Sequence, residues 1–499
     1  VMSTLGFGDI TFTSDIGKIF SIIVLLSGIL FLLVLLPFTF IQFFYAPWIE
    51  AERQSRTPRS LPTHVSGHVI ITGYNPVTTA LIDKLVNHRV PYTLIIEDIH
   101  KALDFYDLGF RVAMGNIDDP KTYQLMRAFD AAMVVSAESD ENNTNVAFTV
   151  REYYENVPII CTADSPDSVD ILKMAGASLV LQLPDMLGRS LARRTIGGDR
   201  KANVIGTFDE LVIAEAPVTG TPLVNKTLTE SRLREVAGVT VIGVWDRGHF
   251  AIPGPATLIT STMVLVIAGS EEQMAKYEEL MCIYQVSINH AVIIGAGRVG
   301  AAVASALDER KIEYIIIDKD QDLLFRDKEF VIGNAADIET LKRAGIEKAS
   351  AAIITTHDDA TNIYLTKYCR GLRPDIQIIS RTNVDRNIST LHRAGADFVM
   401  SYASLGANAI YNYLESSEIV MLAEGIDIFK RKIPGQLVGK TIIQSRLRQE
   451  TGCSVVAIKN DRTMTVNPDP AVRFEKDDEI VLIGNTEAEK KYISRYKNS

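Results

Sequence analysis

The sequence predicts one membrane-crossing helix followed by two tandem α/β units. Each unit is a parallel sheet with covering helices, and a smaller α+β lobe follows it. Three observations lead there. No Lys, Arg, Asp or Glu occurs from Ile19 to Ile49. One order of strand and turn motifs is written twice downstream. The second copy also carries a Gly-x-Gly-x-x-Gly turn between a strand and a helix.

Composition sets the bounds. A chain of 499 residues has room for several domains. A net charge of −10 argues against a nucleic-acid footprint. Cys161, Cys282, Cys369 and Cys453 are far apart with no C-x-x-C pair, which excludes a zinc knuckle or disulfide framework. That usage fits a reducing cytosol for everything after the membrane helix. His64 and His68 flank Gly67 and read as turn residues rather than a metal pair.

Residues 1–15 hold Thr4-Leu5-Gly6-Phe7-Gly8-Asp9. Glycine at alternate positions allows the positive-φ backbone that points successive carbonyls one way. Such rings of oxygen replace the hydration shell of an ion. The Thr4 hydroxyl would add the innermost ring, and Asp9 would sit at the outer mouth. The stretch resembles the potassium-channel signature T-x-G-[YF]-G-D, with a potassium ion in the pore as the implied cargo. The outer and pore helices that such a filter needs are expected upstream of Val1 in preference to a separate polypeptide.

Residues 16–49 are predicted as the inner pore-lining helix, since about 20 apolar residues cross a bilayer. Arg53, Arg56 and Arg59 follow and mark that end as cytoplasmic, although Glu50 and Glu52 dilute the bias. Gly28 is either a gating hinge or a point of close helix packing. Pro37 is expected to release a backbone hydrogen bond and kink the helix. A linker spans 50–66.

The remainder is two copies. His68–Gly73 matches His290–Gly295, and Leu94–Glu97 matches Ile315–Asp318. Val112–Asn116, Ala132–Ser136 and Pro158–Cys161 match Phe330–Asn334, Ala352–Thr356 and Ile376–Ser380. Short apolar strands alternating with helix-period segments make βαβ units and a Rossmann-like sheet. Leu223–Thr227 with Ser231–Arg234 recurs as Leu437–Thr441 with Ser445–Arg448 in the smaller lobes. The predicted boundaries are 67–200 and 201–285 for the first unit, and 286–415 and 416–499 for the second.

Filter, inner helix and paired units together resemble prokaryotic potassium channels gated by tandem RCK (KTN/TrkA-type) domains. The resemblance implies an integral, multi-pass protein of the cell membrane with its RCK domains in the cytoplasm. It implies a homotetramer whose eight units form a gating ring. It also raises calcium on the first unit, where Asp209, Glu210 and Glu215 would supply hard oxygen donors. No fixed spacing supports that, and a solvated acidic face is the competing reading.

The second copy reads as the nucleotide site. Gly295 permits the tight turn, Gly297 close approach of backbone to a pyrophosphate, and Gly300 packing of helix on sheet. The helix start at Arg298 and Val299 offers N–H donors to phosphate, and the Arg298 side chain reads either as a pyrophosphate contact or as a solvated helix residue. Asp318 is placed to accept from ribose hydroxyls, which favours NAD or an ADP/ATP-type nucleotide over NADP. Gly333, Asn334, Thr355 and Thr356 end later strands on the same edge. In the first copy Asn75 and Thr78 replace the second and third glycines, so transmission of force is its expected role, with Glu97 keeping the acid.

Two other functions use the same fold. An NAD-dependent oxidoreductase fused to a membrane segment needs an acid–base group beside the nicotinamide. No tyrosine here has lysine four residues later, and His357 reads as a loop residue. The regulatory subunit of a potassium transporter lacks a filter and inner helix, so Thr4–Asp9 and the apolar run decide against it. The expected function is therefore not enzymatic.

Overall fold

The computed structural model describes residues 12–46, 48, 58–195, 202–218, 221–246, 249–261, 263–282, 290–320, 329–414, 419–423, 426–460, 463–484 and 486–496. The filter-like Thr4–Asp9 lies outside the described residues.

Helix α1 (Asp15–Leu30) starts where the Ser14 hydroxyl accepts the Gly17 N–H at 3.2 Å, with Asp15 favourably placed in the first turn. It runs on without a break through Tyr45, and its apolar side chains such as Ile23, Leu26 and Phe43 are exposed. At ~1.5 Å per residue the 31 residues reach roughly 45 Å, enough to cross a bilayer core. Pro37 does not end the helix. A π-helical turn, Phe31–Leu35, precedes it, and the Leu36 N–H reaches back to the Phe31 carbonyl. A second π turn occupies Ile41–Tyr45. The widened turn before Pro37 takes up the register that an i→i−4 ladder cannot keep at proline. Gly28 itself lies in regular α-helix, before the first irregularity.

The end of the linker is tied to the first unit. The Met114 N–H donates to Pro58 O at 2.9 Å, and the Leu61 N–H to Leu125 O at 3.0 Å.

The first sheet holds β1 (Val69–Thr72), β2 (Tyr92–Ile96), β3 (Val112–Met114), β4 (Met133–Ser136), β5 (Ile159–Thr162) and β6 (Leu179–Leu181). Their order is 3-2-1-4-5-6, all parallel. β1 reads Val-Ile-Ile-Thr and is buried throughout, as expected of a strand covered on both faces. The second sheet repeats the order with β12 (Ala291–Ile294), β13 (Tyr314–Asp318), β14 (Phe330–Ile332), β15 (Ala351–Ile354), β16 (Gln377–Thr382) and β17 (Phe398–Ser401). This is the Rossmann order, with its switch point between the first and fourth strands.

Each smaller lobe is a five-stranded antiparallel sheet. The first contains β7 (Asn203–Phe208), β8 (Leu211–Pro217), β9 (Thr240–Asp246), β10 (His249–Ala251) and β11 (Met263–Gly269). The second contains β18 (Ile419–Ala423), β19 (Ile426–Lys432), β20 (Ser454–Lys459), β21 (Met464–Val466) and β22 (Glu479–Gly484). The repeated Lys-Thr motif is a capping box. Thr227 and Glu230 exchange backbone and side-chain bonds, as do Thr441 and Gln444. The hairpins β7–β8 and β18–β19 open the lobes and were not marked by the repeat.

Helices α2 (Pro76–Asn87), α3 (Leu183–Arg194), α4 (Arg298–Glu309) and α5 (Tyr402–Leu414) join the units. α3 leaves the first sheet and packs on α4 of the second unit, while α5 leaves the second sheet and packs on α2 of the first. Leu187 and Leu191 accordingly share a core with Val303 and Leu307. Ile410 and Tyr411 share one with Leu81 and Leu85. The two small sheets also meet, bringing Ile213 and Val266 together with Val456 and Val481.

Candidate functional site: the sheet edge of the second unit

Gly295 follows β12 with φ +110, a backbone conformation that favours glycine. Gly300 packs on the same turn so closely that a Cβ there would lie 1.9 Å from the Gly295 carbonyl oxygen. Gly297 faces open space, with nothing within 4 Å of where its Cβ would be. It is the N-cap of α4, and no side chain caps that helix. First-turn N–H groups, including those of Arg298 and Val299, therefore remain available to an anion. The Val299 side chain itself is core, packed with Leu187 and Leu191.

Asp318 ends β13 beside this turn. One carboxylate oxygen accepts the Ala296 N–H at 2.6 Å and the other the Asp320 N–H at 3.0 Å. The acid thus pins the turn while lining the cavity. Thr355 is buried, and its hydroxyl donates to Gly295 O at 2.8 Å, so it shapes the turn from beneath. The Thr356 hydroxyl donates to Asn362 Oδ1 at 2.6 Å. The Asn334 side chain accepts the Ala336 N–H at 3.0 Å, and Gly333 lies against Thr340.

These residues surround a cavity of about 740 Å³ at the switch point of the second sheet. Gly295, Gly297, Arg298, Val299, Asp318, Gly333, Asn334, Thr355 and Thr356 all line it, and Gly300 lies behind the turn. The first unit closes one side through Asp164 and Pro184. Arg298 forms a half-exposed ion pair with Asp164 at 3.0 Å. Sequence reasoning missed Asp164, Arg381, Asn383 and Tyr402, which also line the cavity. They sit at strand ends and on a crossing helix, where no local motif marks them.

The corresponding place in the first unit is filled from within. The Asn75 side chain accepts from the Val77 and Thr78 N–H groups at 2.9 and 3.1 Å, closing the α2 terminus. Glu138 stands over Gly73, where a Cβ would meet its carboxylate oxygen at 2.7 Å. Glu97 is spent on the Ile117 N–H at 3.1 Å. Tyr74 packs on Phe105, with ring centroids 4.3 Å apart. A phosphate has neither free donors nor charge complementarity there.

The structure does not bring the acids suggested for calcium in the first unit together. Asp209 sits in the β7–β8 turn, whereas Glu215 pairs across from Asn203 at the other end of that hairpin. Four residues of strand separate Leu211 from Glu215, about 13 Å. Glu215 is buried and paired with Arg194 at 2.8 Å, and Asp209 is paired with Lys459 at 2.6 Å. Among the described residues no cluster of three His, Cys, Asp or Glu side chains suits a metal ion. His357 lines the cavity edge, its carbonyl accepting from the Asn383 amide.

The TrkA-N domain family matches residues 69–183 and 291–402, the TrkA-C domain family 213–281 and 430–495, and the ion channel family residues 1–45. Among solved structures, the GsuK channel bound to NAD is 38% identical with a TM-score of 0.65, covering 100% of this chain and 91% of that one. The chain belongs to the potassium channels gated by tandem RCK domains. The GsuK channel bound to ADP is 32% identical with a TM-score of 0.52, over 84% of this chain and 88% of that one. A curated relative from Methanocaldococcus jannaschii, probable potassium channel protein 2, is 28% identical over 251 residues, 46% of this chain and 72% of its own. The matches thus put the paired sheets and their small lobes in the TrkA-type (RCK) families and the segment that holds α1 in the ion channel family.

Proposed function

We propose that four copies of this chain form a potassium-selective pore, and that a nucleotide bound by the second RCK unit sets its open probability. In this reading Thr4–Asp9 is the filter, α1 with Gly28 lines the pore, and eight RCK units make a cytoplasmic ring. The observation that carries the ligand site is the uncapped α4 terminus beside Asp318, opening on a 740 Å³ cavity. A diphosphate fits the N–H donors and a ribose the carboxylate. That NAD and ADP occupy the GsuK channel supports the same ligand class here. Exposed Phe148, Ile171, Met174 and Tyr364 give the units apolar faces for contact within a ring.

Ligand acts by binding one ring conformation better than another. The linker joins α1 to the first unit, so a change in angle between the units is passed to the pore. Potassium current across a planar bilayer, with NAD or ADP titrated on the RCK side, tests this. Asp318→Ala should abolish the nucleotide response and keep potassium selectivity over sodium. An unchanged dose–response in that variant rejects the site.

A further inference from the structure

Arg381 belongs to the same sheet edge, although no motif announces it. In register Ile317, Ile294, Ile354 and Ser380 stand side by side across four strands. The next residue on each is Asp318, Gly295, Thr355 and Arg381. The acid is one strand to one side of the glycine turn, and the backbone of Arg381 is two strands to the other, about 10 Å away. A nucleotide with its ribose at Asp318 and its phosphates over the α4 terminus extends toward Arg381.

The side chain is only 5% exposed and lines the cavity. Its Nη2 donates to the Asn383 amide oxygen, and its guanidinium lies 5.6 Å from the centre of the Tyr402 ring. Its Nε is buried with no hydrogen-bond partner. Among the described residues no carboxylate forms an ion pair with it, whereas buried Arg194 has Glu215. The Asp359 carboxylate favours the charge from beyond ion-pair distance, and a buried cation whose direct contacts are a neutral amide and a ring face stays costly until an anion completes it. Its planar fork matches phosphate oxygens.

We infer that Arg381 is a ligand-binding residue that takes the terminal phosphate of a nucleoside diphosphate or triphosphate, across the cavity from Arg298. Asn383 and Tyr402 hold the guanidinium in place. The inference rests on the nucleotide reading above, and it makes the phosphate tail the part of the ligand that Arg381 senses.

Isothermal titration of the purified protein with ADP, AMP and adenosine separates the possibilities. Arg381→Gln should weaken ADP by about tenfold to a hundredfold, with adenosine unchanged. Arg381→Lys, which keeps charge without the fork, should recover part of the ADP affinity. It carries the same comparison if the glutamine variant does not melt cooperatively. Equal weakening of all three ligands, or of none, overturns the role of Arg381. Wild-type protein that binds none of the three overturns this inference, and failure to bind NAD as well overturns the nucleotide reading on which it rests. Loss of all three in Asp318→Ala with ADP intact in Arg381→Gln overturns only the arginine.

Discussion

At the scale of single residues, a few side chains decide whether a glycine turn can take a phosphate. Asn75 folds onto its own helix start, whereas Gly297 leaves that space open. The contrast could be read in the sequence, because the side chain at that position is either absent or a good N-cap. Glu138 and Arg381 could not. One carboxylate closes the first site and one guanidinium extends the second, and only the strand register brings either to the turn. His68 carries a separate prediction. It is fully buried, and its Nε2–H donates to Met126 O at 2.8 Å while Nδ1 has no partner. Burial, aided by Arg127, holds its pKa below the usual 6.5. The folded state resists the second proton and the unfolded chain accepts it, so stability present above pH 6.5 falls as pH drops. His68→Gln, which keeps a donor for Met126, should flatten the decline in melting temperature between about pH 7 and 5. Equal slopes for variant and wild type would dismiss His68 as a contributor.

At the scale of elements, the crossing helices depend on two glycines at matching positions. A Cβ on Gly188 would meet the Ala302 Cβ at 2.4 Å and the Val299 carbonyl oxygen at 2.8 Å. On Gly406 it would meet Val77 at 2.7 Å. The first contact includes backbone and cannot relax by a rotamer change. Gly188→Val should therefore cost about 1–3 kcal/mol or more by overpacking. Denaturant melts would register it as a lower midpoint. The cost at Gly406 should be smaller, since the atoms it meets are side-chain ends. The strands of both large sheets were legible from their apolar runs and shared order. The membrane helix was legible from its uncharged length, but its π turns were not. Proline predicts a lost hydrogen bond, and only the neighbouring turns determine whether the helix bends or widens. The β7–β8 and β18–β19 hairpins escaped notice because the repeat differs most there in residue identity.

At the scale of the whole molecule, the junction between units is a polar knot in an apolar setting. Arg194 ends α3 and pairs with Glu215 of the first small lobe, both buried. The Gln377 amide of the second sheet donates to Arg194 O at 2.9 Å. Arg310 reaches the Ala192 and Thr195 carbonyls from α4. Three of the four lobes thus meet around one helix end. Glu215→Ala strands a buried guanidinium and should destabilise the protein by about 3–5 kcal/mol. Replacing both partners by apolar residues should recover much of that loss, and thermal melts of the single and double variants measure it. None of this exchange was readable beforehand. The apolar stripe of α3 or α5 has the same spacing whichever sheet it covers, so sequence gives the helix but not its address.

The reciprocal loan of α3 and α5 has a practical corollary for dissection. Half of this protein, expressed alone, would carry one greasy helix with no seat and one seat with no helix, inviting aggregation. Two separately produced halves should instead find each other in solution and restore a complementary pair.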